Sequence, residues 1–164
     1  MTVVLASVAF WAPVTFSLPG DDGQLEVIKG RARYKRLKTS ERKALDRRIR
    51  AARRTPDIRK AMEQRLAESA DHYTEAERKE IRADLDAEPI TDTEFLAEVL
   101  VDWDFRDKVG TPIPPYSPAQ RAELCEDWDG FEAALVRGHM DAQEKAANHK
   151  ELEKNSEGQP GTGT

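Results

Sequence analysis

The stretch TDTEFLAEVLVDWDFRDKVGTPIPPYSP, residues 91–118, decides how the rest of the chain is read. Thr91 followed three residues later by Glu94 is a capping box, in which hydroxyl and carboxylate each accept a backbone N–H of the opening turn. Phe95, Leu96, Val99, Leu100 and Trp103 then recur at i, i+1, i+4, i+5 and i+8, which predicts one amphipathic helix running through Trp103. GTPIPPY is turn chemistry, because glycine and proline interrupt regular structure. Ser117-Pro118 with Gln120 repeats the capping logic for a second helix reaching Leu124 and Cys125. Asp129 then caps a last helix carrying Phe131, Ala134, Leu135 and Gly138. Apolar faces at this spacing build cores, and in a chain so lean in apolar residues the same face is expected to serve a partner as well. The expected partner-binding residues are Phe95, Leu96, Val99, Leu100, Trp103, Tyr116, Trp128, Phe131 and Leu135, since tryptophan is the residue most enriched in interface hot spots.

Toward the amino terminus, Thr2 to Leu18 is β-branched or aromatic with little charge, Pro19-Gly20-Asp21-Asp22-Gly23 is a turn, and Leu25 to Leu37 alternates apolar and basic. That is a hairpin pattern. Leu25, Val27, Ala32 and Tyr34 are expected to face inward, with Gly30 a bulge where the alternation changes phase. A lone hairpin is marginal in water, so a helix, further strands or another copy must cover it. Between hairpin and core, three thinly apolar helices are predicted: one opened by Thr39-Ser40 with Glu41, one by Thr55-Pro56, and one by the capping box of Thr74 and Glu77. The fold class is therefore mainly α with a small N-terminal β element (α+β). Its parts are a β element at 1–38, a basic helical middle at 39–88, a helical core with a proline-rich turn at 89–142, and a fading helix with a disordered tail at 143–164.

The formal charge of −5 hides a split: residues 29–65 hold sixteen Lys and Arg against four acids, leaving ten bases against twenty-seven acids elsewhere. Such a block grips phosphates or pairs with acids of its own chain or of a neighbouring copy. The alternative functional reading is a small nucleic-acid-binding regulator using the basic helix 42–54, but no recognised nucleic-acid module accompanies it. The single Cys125 excludes an intramolecular disulfide, and beside Leu124 it reads as an inert thiol. His72, His139 and His149 are scattered, and no phosphate-binding glycine loop is present. No catalytic, cofactor-binding or metal residues are assigned, and no enzyme is expected. The opening MTVVLASVAFW has no Lys or Arg before its apolar run, unlike a signal peptide, and no segment approaches the roughly 20 apolar residues of a membrane span, so a soluble protein is expected.

The order of these parts resembles the tail assembly chaperones of long-tailed bacteriophages. The likeness is carried by Ile90-Thr91-Asp92, Glu94-Phe95-Leu96, Glu98-Val99-Leu100-Val101, Trp103, Pro114, Tyr116-Ser117-Pro118 and the helix from Phe131 to His139. It spans Ile90 to Met140 closely and the amino-terminal half in outline. The segment Asp104 to Val109 departs by being more charged than the family's linking turn, and the basic middle is longer. The resemblance implies a non-enzymatic assembly factor of the host cell cytoplasm, absent from the finished virion. Such a factor binds the long helical tape measure protein, keeps it soluble, and helps recruit tail tube subunits; self-association is expected, and neither nucleic acid nor a membrane is. It also implies a minority frameshifted product whose extension contacts the tube protein, and Glu153-Lys154-Asn155 can be encoded so that a slippery A-AAA-AAC heptamer crosses it.

Overall fold

A computed structural model describes residues 8–157. The chain divides into two compact units, one from Met1–Arg36 with Leu96–Thr164 and the other from Leu37–Phe95. The fold is α+β: an antiparallel hairpin with a third strand and, among the described residues, six α-helices.

In the first unit, β1 (Ala9–Pro19) and β2 (Leu25–Lys35) pair from Pro19↔Leu25 to Ala9↔Lys35 without irregularity. Gly23, at φ 77°, supplies the left-handed turn residue between them. Pro13 is tolerated because β1 is an edge strand and need not donate on both sides. Side chains alternate in and out. Ala12, Val14, Phe16, Ile28, Ala32 and Tyr34 are buried, while Trp11, Pro13, Thr15, Ser17, Leu25, Val27, Lys29 and Arg31 are exposed.

Two expectations for β2 are corrected here. Leu25 and Val27 face outward, 70% and 56% exposed, although Ala32 and Tyr34 do face inward. The hairpin register locks β2 to Val14 and Phe16 of β1, and that parity sends Leu25 and Val27 outward. Gly30 is not a bulge against β1. It sits opposite Phe105, whose ring fills the space a Cβ would need, so glycine there permits close packing.

The predicted long helix is also corrected. α4 (Asp92–Val99) begins on the expected capping box, with Glu94 accepting the Thr91 N–H at 2.9 Å and Thr91 Oγ1 accepting the Glu94 N–H at 3.2 Å, but it stops at Val99. Leu100–Phe105 is instead β3, antiparallel to β2 in a sheet of order β1-β2-β3. Tyr34 pairs with Leu100 and Arg33 with Asp102, so Val101 is an extra residue on β3. This bulge puts Leu100, Trp103 and Phe105 on the inner face. A bulged strand thus imitates the three-to-four spacing of a helix.

Beyond β3, Asp107 Oδ1 accepts the backbone N–H groups of Val109 and Thr111, and Ile113 donates back to the Phe105 carbonyl at 3.1 Å. The charged departure noted in the sequence is therefore a hydrogen-bonded turn that closes the strand. Ser117 then caps α5 (Pro118–Asp127) through the Gln120 N–H.

α6 (Phe131–Glu157) lies across the inner face of the sheet, burying Phe131, Ala134, Leu135, Gly138 and His139. At Gly138 an added Cβ would meet Val14 at 2.7 Å, so the missing side chain lets helix and strand touch. Tyr34 donates its buried hydroxyl to the Leu135 carbonyl at 2.6 Å, satisfying a group whose burial would otherwise be costly. The helix continues past Ala142 although its apolar stripe ends. The expected disorder of the tail and the strand residues before Val8 lie outside the described residues.

The second unit holds α1 (Thr39–Arg53), α2 (Pro56–Glu68), a short 3-10 turn (Ala70–His72) and α3 (Glu75–Asp86). Their starts follow the sequence chemistry: Glu41 accepts the Lys38 N–H, Thr55 accepts from Ile58, and Thr74 and Glu77 cap reciprocally. Leu45 and Leu85 are the buried residues of these three helices, and α2 has none.

Candidate binding surfaces

Of the nine residues expected to hold a partner, eight are gathered in the first unit, and six of these are interior. Leu96, Val99, Leu100, Trp103, Phe131 and Leu135 are buried in the first unit, with Tyr116 and Trp128 half-buried at its margin. Phe95 is buried and falls in the second unit. Phe131 is fully buried among four rings, with centroids at 5.0 Å to Phe16, 5.3 Å to Phe105, 5.6 Å to Trp103 and 5.6 Å to Trp128. Trp103 stands edge-on to Tyr116 at 5.1 Å and donates its indole N–H to the Pro114 carbonyl at 2.9 Å. The tryptophan that marked a hot spot in the sequence is therefore tied to the proline-rich turn. Phe16, Tyr34 and Phe105 complete this interior; their signal was alternation along a strand rather than helical spacing.

The opposite face of the same sheet carries its exposed side chains. Central strand β2 places Lys29, Arg31, Arg33 and Lys35 at every second position, hence on one face. Trp11 (40% exposed) lies opposite Arg33 on β1, and Val101 (44%) is the bulged residue beside Arg33 on β3. The Arg31 guanidinium stacks 4.6 Å from the centre of the Trp11 ring and pairs with the Asp104 carboxylate at 3.1 Å. Among the described residues, no ion pair ties Lys29, Arg33 or Lys35.

The arginines of the alternative reading are engaged within the second unit. Arg47 pairs with Glu80 and, at 3.2 Å, with Asp84; Arg50 reaches Asp84 at 2.9 Å; Arg54 donates to the Asp84 carbonyl at 2.8 Å; Arg48 lies 4.0 Å from Glu94. The basic block pairs with acids of its own chain, the second of the two outcomes its composition allowed.

Titratable groups follow their burial. His139, edge-on to Tyr34 at 5.2 Å, is pushed down to about 4 by desolvation, and the same cause raises the Tyr34 phenol. The Cys125 thiol is pushed up to about 11 by burial and then by the charge of Glu132. Among the described residues there is no group of three His, Cys, Asp or Glu side chains able to hold a metal, and no helix long and apolar enough to cross a membrane. Comparison with known protein families, with curated proteins and with solved structures finds no match.

Proposed function

We propose that this chain is a tail assembly chaperone of a long-tailed bacteriophage. It acts in the host cytoplasm, binds the tape measure protein without catalysis, holds it soluble and helps bring tail tube subunits to it. The observation that carries this reading is the ordered motif from Ile90 to His139, whose landmarks coincide with structural junctions: Thr91 caps α4, Trp103 bonds the proline turn, Ser117 caps α5, and Phe131 to His139 closes the core. An N-terminal hairpin precedes this run. A holder of a long repetitive helix needs only modest contacts per copy, because many copies on one filament gain avidity. Self-association along the client fits that mode, as does a longer frameshifted product that reaches the tube protein.

Nucleic-acid binding through helix 42–54 is the weaker reading, since Arg47, Arg50 and Arg54 already hold Glu80 and Asp84. Co-expression with the tape measure protein separates the two. The chaperone reading expects a soluble complex that survives physiological salt. An insoluble tape measure, together with retention of an oligonucleotide whose affinity falls steeply with salt, would refute it.

A further inference from the structure

The buried stripe leaves open where a client would sit, and the outward face of the sheet offers an answer with its own chemistry. Four cations on alternate residues of β2 stand about 6.7 Å apart, close to the roughly 6 Å rise between i and i+4 on a helix. Lys29, Arg31 and Lys35 are exposed, and Arg31 is pre-set by the Trp11 ring and the Asp104 carboxylate. On one side of this row lie Trp11 and Pro13 of β1, and on the other Val101, Asp102 and Asp104 of β3. The row therefore has an uncharged flank and an acidic flank.

We propose that this face docks an acidic amphipathic helix of the client protein. Carboxylates at i, i+4, i+8 and i+12 of that helix lie over Lys29, Arg31, Arg33 and Lys35. Its aliphatic edge rests on Trp11, and lysine or arginine on its other edge meets Asp102 and Asp104. The charge pattern favours this occupant over a single-stranded nucleic acid for two reasons. A phosphate chain has no cation to offer Asp104 and Asp102, directly opposite Arg31 and Arg33, whereas the second edge of an amphipathic helix can carry one; and Trp11, the sole aromatic on this face of the strands, already carries a guanidinium on its ring where a base would stack. The proposal rests on the chaperone reading and gives it a surface and a client chemistry.

The test is co-expression of full-length protein with the tape measure protein, reading the soluble client that co-purifies. The double reversal Lys29→Glu with Arg33→Glu is expected to lower co-purified client by about tenfold or more, and Trp11→Ser to lower it less. Ile58→Ser, an exposed apolar residue in the other unit, should leave it unchanged. Circular dichroism and the melting midpoint report that each variant keeps its fold. As a second readout, Thr15→Cys in a Cys125→Ser background, labelled with benzophenone, should crosslink to client peptides rich in Glu and Asp.

Undiminished client with the double reversal, or crosslinks only from an Ile58→Cys control, overturns the proposed surface while the chaperone reading stands. Failure of the unaltered protein to keep the client soluble overturns both. Binding of labelled oligothymidylate at physiological salt, abolished by the same reversal, assigns the face to nucleic acid and sinks the proposal.

Discussion

The first unit puts most of its aromatic residues inside and leaves its charges outside on a sheet face. The second unit buries little besides Leu45, Leu85, Ile90 and Phe95, and its charges tie α1 to α3. Phe16, Tyr34, Phe105 and Phe131 are buried in the one, whereas α1, α2 and α3 of the other bury only Leu45 and Leu85, and α1 is joined to α3 by Arg47, Arg50 and Arg54 on Glu80 and Asp84. The difference teaches where stability and availability lie. Burying an aromatic side chain contributes a few kcal/mol, while partly exposed ion pairs contribute about 0–1 kcal/mol each. Arg47 already answers to both Glu80 and Asp84, whereas among the described residues Lys29, Arg33 and Lys35 of β2 take no ion pair and Arg31 has only the partly exposed Asp104, so the cations of β2 are the better placed to recruit a ligand.

The harshest way to break the contrast is Phe131→Ala. A ring enclosed by four others leaves a cavity that the sheet cannot close, and about 3–5 kcal/mol of stability should be lost. Urea unfolding followed by tryptophan fluorescence reads this directly. A loss below about 1 kcal/mol would mean that the aromatic interior is not the core of the first unit.

Acid probes the same interior through His139. An unfolded histidine titrates near 6.5, and burial holds this one down to about 4. Above pH 6.5 both states are neutral and stability is at its full value. Between pH 6.5 and 4 the unfolded chain takes up a proton that the folded chain refuses, so stability falls as the pH falls, by about 3 kcal/mol in total. His139→Leu should flatten that part of the pH profile measured by urea midpoints; an unchanged slope would show that the imidazole is not held neutral.

Much of this architecture was readable from local chemistry, and the rest was not for a physical reason. Turn residues Pro19 to Gly23 announced the hairpin, and Thr55, Thr74, Thr91 and Ser117 announced helix starts, because each signal acts within a few residues. β3 was hidden because the bulge at Val101 spaces Leu100 and Trp103 like helical neighbours, and only pairing with β2 distinguishes the two. The inward parity of β2 was misread for a similar reason. Leu25 and Val27 are more apolar than Gly30 and Ala32, yet partners distant in sequence, β1 and Phe105, decide which set is buried. The candidate surface shared this fate: its cations were counted as part of a basic block, and strand geometry alone gathers four of them on one face.

In the second unit, Asp84→Asn should cost about 1 kcal/mol or less, because the Asp84 carboxylate receives both Arg47 and Arg50 but remains partly exposed. Arg54 is anchored to the Asp84 main-chain carbonyl and should keep its contact. Amide exchange is expected to quicken in α1 and α3 and to stay unchanged in the strands. Faster exchange spread evenly over β1, β2 and β3 would erase the division between a unit built on burial and one built on ion pairs.

The smallest effect is expected at Cys125, which lies in the first unit but only partly inside it. Burial first, and the nearby Glu132 charge second, push its thiol up to about 11, so the nucleophilic thiolate is scarce at neutral pH. Modification by a disulfide reagent should therefore be slow at pH 8 in the folded protein, fast in urea, and should speed up as the pH rises toward 11. Cys125→Ser should move the unfolding midpoint by less than about 1 kcal/mol, since oxygen replaces sulfur at a site that water already reaches. Rapid labelling of the folded protein at pH 8 would place the sulfur on an open surface, and the inside-out contrast between the two units would then have to be redrawn at α5.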